Sequence, residues 1–379
     1  MSVTVGAQPG AYRRWLVGLA LAAAIVLAWW VVRRRSQEVP GQVFTNQLGR
    51  TQVAALAFDP NGPWLACQIS RPDSRLGNVY VIDVLNANTG DVAWESKGPF
   101  DVVPVWAQTA NTLYYGELRG RELLAGIWAP PPAAARAPIQ MQGPEWATRS
   151  DGVWLPRDGM VLARANGKSG WIVEAWNPAT GKTTPETQVT IHASNAVASP
   201  DGRYLAFIAQ STRQTSLAVV DRSGKLLYTS PVRQQVFDAV FTPDSHRILY
   251  LAKAGSQESL QRLDVRTWMN RTVVQRPWFY LPVVANLQGQ LAVSVVTVDL
   301  HKRIQIYDIG TGKMLAQSPP QIDCQEPAWS RDGSQLAFGW QNRDSKECGI
   351  SVIDWKDVQA HNRWPVGPAA VPIPGRPLH

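Results

Sequence analysis

Cysteine and histidine are scarce in this sequence: the 379 residues include three cysteines and five histidines. The histidines are scattered, and none has a partner at the spacing of a metal site; they are His192, His246, His301, His361 and His379. No Gly-x-Ser-x-Gly motif, which would indicate a serine nucleophile, is present. We therefore predict no catalytic, metal-binding or cofactor-binding residues, and a protein that is not an enzyme.

Acidic residues are absent from residues 1–35, which contain five arginines. Removing those five charges from the formal net charge of +8 leaves +3 for the rest of the chain. Such a nearly balanced remainder argues against a nucleic-acid-binding protein, which would carry a dedicated basic face. We therefore predict no nucleic-acid partner.

Residues 15–32, WLVGLALAAAIVLAWWVV, form one long run without a charge. A helix of that length approaches the roughly 30 Å hydrocarbon thickness of a bilayer. The predicted anchor has aromatic and basic side chains at its ends: Trp15, Trp29, Trp30, Arg33, Arg34 and Arg35. The alternative is a cleaved signal peptide, which the three arginines directly after the run disfavour. We predict a tail over 1–14, a transmembrane helix over 15–32 and a linker over 33–41. The flanking charges do not settle which side of the membrane holds the rest, because long domains translocate largely regardless of them.

The stretch ASPDGRYLAFIA, residues 198–209, is a tight turn followed by an apolar strand, and the pattern recurs along the chain. The last residue of the turn falls at intervals of 43 to 49 residues: Gly62, Asn111, Gly159, Gly202, Ser245, Gly289 and Gly333. A third strand, a second turn such as Arg222-Ser-Gly-Lys225 and a fourth strand complete each unit. Four short strands in such a unit are typical of one propeller blade.

These repeats predict an all-β protein, a seven-bladed β-propeller of four-stranded antiparallel blades over residues 42–366. Stacking blades around an axis buries faces that one blade cannot cover alone. We predict that Gln42–Asn46 closes the ring by pairing with Gly349–Asp354 as the outer strand of the seventh blade. The alternative closure uses Arg363–Val366. No sustained helical periodicity follows residue 40, and the Pro-rich residues 367–379 are predicted to be an irregular tail.

The units resemble the β-propeller repeats of the TolB type, also called PD40 or WD40-like repeats. The resemblance rests on the turn Pro200-Asp201-Gly202, the strand that follows it and the spacing from Asp221 to Lys225. It implies a fold and, more weakly, a non-catalytic scaffold for protein–protein interaction on the periplasmic or extracellular side. We expect neither the N-terminal α/β domain of TolB nor the hydrolase domain of prolyl oligopeptidase-like enzymes in these residues.

Two features leave alternatives open. Propeller lyases assemble histidines and arginines from different blades, so the alternative function is a carbohydrate-active lyase or hydrolase with a composite site at the propeller mouth. Docking motifs for a quinone cofactor would place Trp regularly in each blade, whereas the 17 Trp here are irregular and indicate packing between blades.

The cysteines have different predicted environments. Cys67 aligns with Phe207 and Phe338, so we predict a buried thiol. Cys324 and Cys348 lie near the starts of the first and third strands of one blade, two strand spacings or about 9.6 Å apart. A disulfide needs Cα atoms within about 7 Å, so this spacing disfavours a bridge.

One rim of the propeller is the candidate binding surface. The loops between second and third strands share this rim with the connections between blades, and both sets contain basic and aromatic residues favoured at protein interfaces. The candidate partner-binding residues are Arg276, Trp278, Phe279, Tyr280, His301, Lys302, Arg303 and Arg343. We predict that they bind other membrane or envelope proteins, while residues 15–32 contact the lipid bilayer. The alternative is that the charged loops are merely solvated and that Trp278 and Phe279 pack into the next blade.

Overall fold

The structure of the chain is a computed structural model. It describes residues 42–49, 52–73, 77–96, 102–106, 111–119, 122–131, 136–140, 153–155, 160–166, 170–176, 183–189, 191, 193–211, 214–231, 234–276, 279–297, 300–361 and 364. The predicted tail, anchor and linker over residues 1–41 and the predicted tail over 367–379 lie outside these ranges. Among the described residues, no helix has the length and apolarity needed to cross a bilayer.

Most described residues belong to short strands. The first strand, β1 (Gln42–Gly49), is followed by a first sheet of β2 (Gln52–Phe58), β3 (Trp64–Asp73), β4 (Gly77–Asn86) and β5 (Val92–Glu95). The second sheet holds β6 (Val102–Trp106), β7 (Leu113–Arg119), β8 (Glu122–Trp128) and β9 (Arg136–Gln140). The third sheet holds β10 (Val153–Leu155), β11 (Met160–Asn166), β12 (Gly170–Trp176) and β13 (Thr183–Val189).

The later sheets repeat this plan. The fourth sheet holds β14 (Ala193–Ala198), β15 (Tyr204–Gln210), β16 (Thr215–Asp221) and β17 (Leu226–Thr229). The fifth sheet holds β18 (Gln235–Phe241), β19 (Arg247–Ala254), β20 (Gln257–Asp264) and β21 (Asn270–Arg276). The sixth sheet holds β22 (Phe279–Ala285), β23 (Gln290–Val296), β24 (Lys302–Asp308) and β25 (Met314–Gln317). The seventh sheet holds β26 (Ile322–Trp329), β27 (Gln335–Asn342) and β28 (Cys348–Asp354), and α1 (Trp355–His361) follows it.

Each of these sheets is four-stranded and antiparallel. The strands of the first six sheets are in chain order, whereas the seventh has the order β26-β27-β28-β1. The first strands contact each other from sheet to sheet, as β14 does with β18, β18 with β22, and β22 with β26. The ring closes where β26 contacts β2. The first strands therefore form the inner wall around a central axis, and the fourth strands lie outermost.

The predicted closing strand is confirmed. β1 pairs antiparallel with β28, in a register that joins Gln42 to Ile353 and Asn46 to Ile350. The strand continues to Gly49, beyond the predicted end at Asn46. This pairing gives the seventh sheet its fourth strand and joins the first described residues to the last sheet, so the chain is fastened where it would otherwise leave an exposed edge. Of the alternative closing segment, Trp364 is described, and its ring packs against Phe338 rather than extending a sheet.

The turn between the first and second strands explains the repeat. In the fourth sheet the Ser199 hydroxyl donates to the Asp201 carboxylate at 2.7 Å, and the Gly202 N–H donates to the Ser199 carbonyl at 2.8 Å. Gly202 and Gly333 have φ of 66°, and Ser245 occupies the same turn position with φ of 62°. This left-handed backbone is the reason that glycine prevails at this position.

A buried serine fastens each of three fourth strands to its sheet. The N–H of Leu217 donates to the Ser230 Oγ at 3.0 Å, while the Ser230 N–H donates to the Leu217 carbonyl at 2.8 Å. Ser96 and Ser318 make the same pair of bonds in the first and sixth sheets. The serine therefore satisfies a backbone donor at the point where the outer strand ends.

Tryptophans pack between sheets, as their irregular spacing indicates. Trp106 of the second sheet donates its Nε1–H to the Ala57 carbonyl of the first at 2.8 Å. The Trp106 and Trp128 rings pack edge to face with centroids 5.8 Å apart, and the Trp64 ring packs against Trp128 in the same way at 5.5 Å. These rings fill the junction between the first and second sheets.

The helix α1 is not predicted by the sequence pattern. Its seven residues are too few for helical periodicity to stand out. The Asp354 carboxylate accepts the N–H groups of Lys356 and Asp357 at 2.8 and 3.2 Å, so Asp354 caps the helix. Trp355 and Val358 pack with Trp364 into the core of the sixth and seventh sheets. An aspartate cap at the last residue of the final strand is the signal that would have revealed this helix.

All three cysteines are buried free thiols. This confirms the prediction for Cys67. Cys324 pairs with Trp340 on β27, which in turn pairs with Gly349 on β28, so Cys324 and Cys348 lie two strands apart without a bridge. Burial raises the pKa of the Cys324 thiol to about 12, which makes it a poor nucleophile.

Candidate functional site

The antiparallel strands give the ring two distinct rims. The turn rim holds the turns between first and second strands and between third and fourth strands. The loop rim holds the loops between second and third strands and the connections from one sheet to the next. Contacts between sheets keep these ends aligned: the Asp201 N–H donates to the Ser245 hydroxyl at 3.0 Å on the turn rim. This arrangement agrees with the predicted rim geometry.

A polar cluster on the loop rim joins the sixth and seventh sheets. We call its four residues the rim cluster: His301, Lys302, Asp323 and Arg343. Asp323, at the start of β26, accepts two bonds from the Arg343 guanidinium at 2.7 and 3.2 Å. It also accepts the Lys302 backbone N–H at 3.1 Å. One carboxylate thus positions residues from two neighbouring sheets.

His301 completes the rim cluster. Its Nε2 contacts the Arg343 guanidinium, and its Nδ1 faces the Asp323 carboxylate at 4.0 Å. Arg343 and Asp323 are each about a quarter exposed, so the cluster is partly shielded from solvent while its outer edge remains accessible.

Lys302 links the rim cluster to the closure of the ring. Its Nζ donates to the Gln325 Oε1 at 2.7 Å, and the Gln325 amide donates to the Val53 carbonyl at 3.2 Å. Val53 belongs to the first sheet, so this chain of bonds crosses from the sixth sheet through the seventh to the first. These bonds connect the rim cluster to the junction at which the ring closes.

The other predicted binding residues have different placements. The Arg303 residue is 3% exposed, and its guanidinium donates to the carbonyls of Pro319 and Ile322 at 3.0 and 3.2 Å. It supports the junction from inside, so its charge is not presented at the surface as we expected. Arg276, Phe279 and Tyr280 lie on described strands without described side chains, and Trp278 lies outside the described residues.

The sequence did not single out two carboxylates of the inner wall. Glu326 of the seventh sheet and Asp238 of the fifth interact electrostatically although the sixth sheet separates them, so both face the central axis. Glu326 occupies a bulge in β26 with φ of 53°. Burial raises the pKa of Glu326 to about 7, with a further increase from Asp238 and an opposing effect from Lys302. Both carboxylates lie seven residues before the last residue of the turn between the first and second strands of their sheets. Aligning the repeats on that turn would have found the pair.

The rim cluster and Glu326 offer two kinds of chemistry. Arg343 and His301 lie against one anion, Asp323, and the Lys302 ammonium, which donates to Gln325, adds a second cation nearby. Two cations beside one carboxylate suit recognition of acidic groups. Glu326 can exchange a proton near neutral pH. The described residues contain no group of three or more His, Cys, Asp or Glu side chains arranged to hold a metal ion.

Comparisons with solved structures identify the fold as a β-propeller. Oligogalacturonate lyase from Vibrio parahaemolyticus aligns with a TM-score of 0.59 at 12% identity, covering 83% of this chain and 92% of that one. Chaetomium thermophilum Sqt1 bound to the N-terminus of ribosomal protein L10 aligns with a TM-score of 0.53 at 12% identity, covering 83% and 100%. The β-propeller domain of Myceliophteria thermophila Cps50 (Swd1) gives 0.55 at 13%, covering 82% and 99%. No family model and no curated protein sequence matches the chain.

Proposed function

We propose that the chain is a membrane-anchored, seven-bladed propeller of the TolB type that serves as a non-catalytic platform for protein–protein interaction. Residues 15–32 form the anchor, 33–41 the linker and 42–366 the propeller, which lies on the periplasmic or extracellular side. The partner is another membrane or envelope protein, so the chain acts as an accessory subunit of a larger complex.

The rim cluster is the observation that carries this proposal. Asp323 holds the Arg343 guanidinium and the Lys302 backbone across the junction of two sheets, and Gln325 holds the Lys302 ammonium, so the positions of both cations are set before a partner arrives. Preorganised charges recognise a partner at a lower entropic cost than freely moving side chains do. The cluster presents two cations and a histidine against one carboxylate, which favours an acidic segment of the partner. The comparison with Sqt1, solved with the N-terminus of ribosomal protein L10, supports binding of a protein segment by such a fold.

The test is recovery of partners from native membranes solubilised in detergent. We expect the double substitution Lys302→Ala and Arg343→Ala to lower the yield of a specific partner at least tenfold, measured by quantitative mass spectrometry. The matched control is Arg203→Ala with Lys356→Ala, which removes two exposed cations that lie away from the loop rim. Equal recovery by both double variants would overturn the assignment of the loop rim. Arg303 is left intact because its guanidinium is buried.

A carbohydrate-active lyase or hydrolase is the second candidate, and Glu326 is the observation that favours it. A carboxyl group with a pKa of about 7 beside Lys302 is suited to general acid or base catalysis at the mouth of the propeller. The resemblance in fold to oligogalacturonate lyase supplies a substrate to try. Formation of unsaturated product from oligogalacturonate is measured for the unaltered chain and for Glu326→Gln, with and without manganese, which is present in a solved structure of an oligogalacturonate lyase. Turnover that only the unaltered chain shows would establish the enzyme; no turnover by either would exclude this substrate.

A further inference from the structure

The position of Gln42 shows where the chain enters the ring. Gln42 pairs with Ile353, close to the end of β28. At that end Trp355 donates its backbone N–H to the Ser334 carbonyl, in the turn between β26 and β27. Gln42 therefore lies on the turn rim, and the chain that precedes it approaches from that side.

The segment before Gln42 is too short to favour the opposite orientation. Residues 33–41 separate the uncharged run at 15–32 from Gln42. Those residues reach at most roughly 30 Å, at about 3.3–3.6 Å per residue when fully extended. The seven residues of β28 span roughly 24 Å between the rims, at about 3.4 Å per residue. Bringing the loop rim to a bilayer would therefore require nearly complete extension, whereas the turn rim needs none.

The turn rim also carries exposed apolar side chains at repeated positions. Leu226 and Met314 are the first residues of the fourth strands β17 and β25, and they are 55% and 40% exposed. Met269, which directly precedes the fourth strand β21, is 55% exposed. Lys225 and Lys313 directly precede Leu226 and Met314 and are exposed. Apolar side chains next to cations on one edge suit the boundary of a lipid bilayer, where each finds its preferred environment.

We propose that the turn rim faces and contacts the lipid bilayer, so that the loop rim with its rim cluster points away from the membrane toward the partner. The inference rests on the proposed anchor, because the bilayer is the occupant only if residues 15–32 are embedded in it. It adds an orientation that the anchor alone does not specify. A partner then approaches the rim cluster without competition from the membrane surface.

The experiment places a fluorescent label at single cysteines on each rim of the full chain. Leu226→Cys and Met314→Cys report on the turn rim, and Leu300→Cys reports on the loop rim, where Leu300 is 73% exposed. The three native thiols are buried, and the unaltered chain gives the background labelling. The chain is reconstituted in phosphatidylcholine and phosphatidylglycerol vesicles that contain lipids with a nitroxide in the headgroup region.

We expect quenching of the labels at positions 226 and 314 to exceed quenching at position 300 at least threefold. Equal quenching at both rims, no quenching, or stronger quenching at position 300 would overturn the orientation while the protein still floats with the vesicles. Failure of the full chain to float with vesicles would overturn the anchor and the orientation together. The vesicle flotation assay thus separates a failure of the proposed anchor from a failure of this inference.

Discussion

Glu326 is expected to make the stability of the propeller depend on pH. Burial is the largest cause of its raised pKa, which moves from 4.5 to about 7. A carboxyl group whose folded pKa is raised stabilises the fold fully below its unfolded value, and this stabilisation is lost as the pH rises through the folded value. The loss therefore occurs between about pH 4.5 and pH 7.

The magnitude follows from the two pKa values. A change from 4.5 to about 7 corresponds to roughly 3 kcal/mol, at about 1.4 kcal/mol per pH unit. Glutamine has the shape of the neutral acid and does not ionise, so Glu326→Gln removes this dependence. We expect the variant to match the unaltered chain near pH 4 and to be more stable by up to about 3 kcal/mol near pH 8.

The assay is urea unfolding of the full chain in detergent, followed by tryptophan fluorescence at a series of pH values. The informative quantity is the difference between variant and unaltered chain, because other carboxyl groups cancel in it. Asp238→Asn removes a neighbouring negative charge, so in that background the difference is expected to be smaller and to level off at a lower pH. Lys302→Met removes the opposing cation, so there the difference is expected to be larger and to level off at a higher pH. A difference that stays constant from pH 4 to 8 would refute the reasoning about Glu326.

Three further predictions concern packing, hydrogen bonding and thiol reactivity. Gly339→Ala places a Cβ 2.8 Å from the Val53 Cβ at the junction of the seventh and first sheets, and we expect a loss of about 1–3 kcal/mol in urea unfolding. Ser230→Ala leaves the buried Leu217 N–H without its side-chain acceptor, and we expect a similar loss of about 1–3 kcal/mol. Burial keeps Cys324 and the other two thiols protonated, so a colourimetric thiol reagent is expected to titrate all three only in denaturant.

Matched controls separate these effects from a general cost of substitution. Gly310→Ala lies at an exposed turn, where the nearest contact is the Asp308 carboxylate at 3.2 Å, and Ser211→Ala removes an exposed hydroxyl. Each control is expected to change stability by no more than about 0.5 kcal/mol. If the controls cost as much as Gly339→Ala and Ser230→Ala, the close contact and the buried bond are not the causes. Rapid reaction of any thiol in the native protein would contradict its burial.

The ring closure was predictable because it follows from the local requirements of each repeat. The turn position with left-handed backbone, at Gly202 and Gly333, can be recognised in the sequence because glycine is favoured there. The number of times that this position recurs gives the number of sheets. A sheet with three strands at one end of the chain then needs a fourth from the other end, which identified the strand beginning at Gln42. The spacing of the repeats and the missing fourth strand of the last sheet can both be read from the sequence, so the closure could be predicted.

The rim cluster was predictable only in part because it depends on how neighbouring sheets are staggered. The loop positions of His301, Lys302 and Arg343 placed them on one rim, but no local pattern indicates that Asp323 bonds two of them. For the same reason the burial of Arg303 was not predicted from the sequence. Its neighbour Lys302 faces Glu326, and side-chain alternation along β24 turns Arg303 toward the junction, where two carbonyls satisfy it.

The position seven residues before the end of each turn shows where a repeat protein acquires chemistry. In chain order this position is held by Ala55, Pro104, Gly152, Asn195, Asp238, Pro282 and Glu326. The fold does not require a particular side chain at this position, since residues as different as alanine and proline occur there. The carboxylates at two of these positions are therefore not explained by the architecture, and Glu326 is held at a cost because its ionised form is disfavoured by burial. Departures from the repeat, rather than the repeat itself, are where the binding or catalytic role of this ring should be tested first.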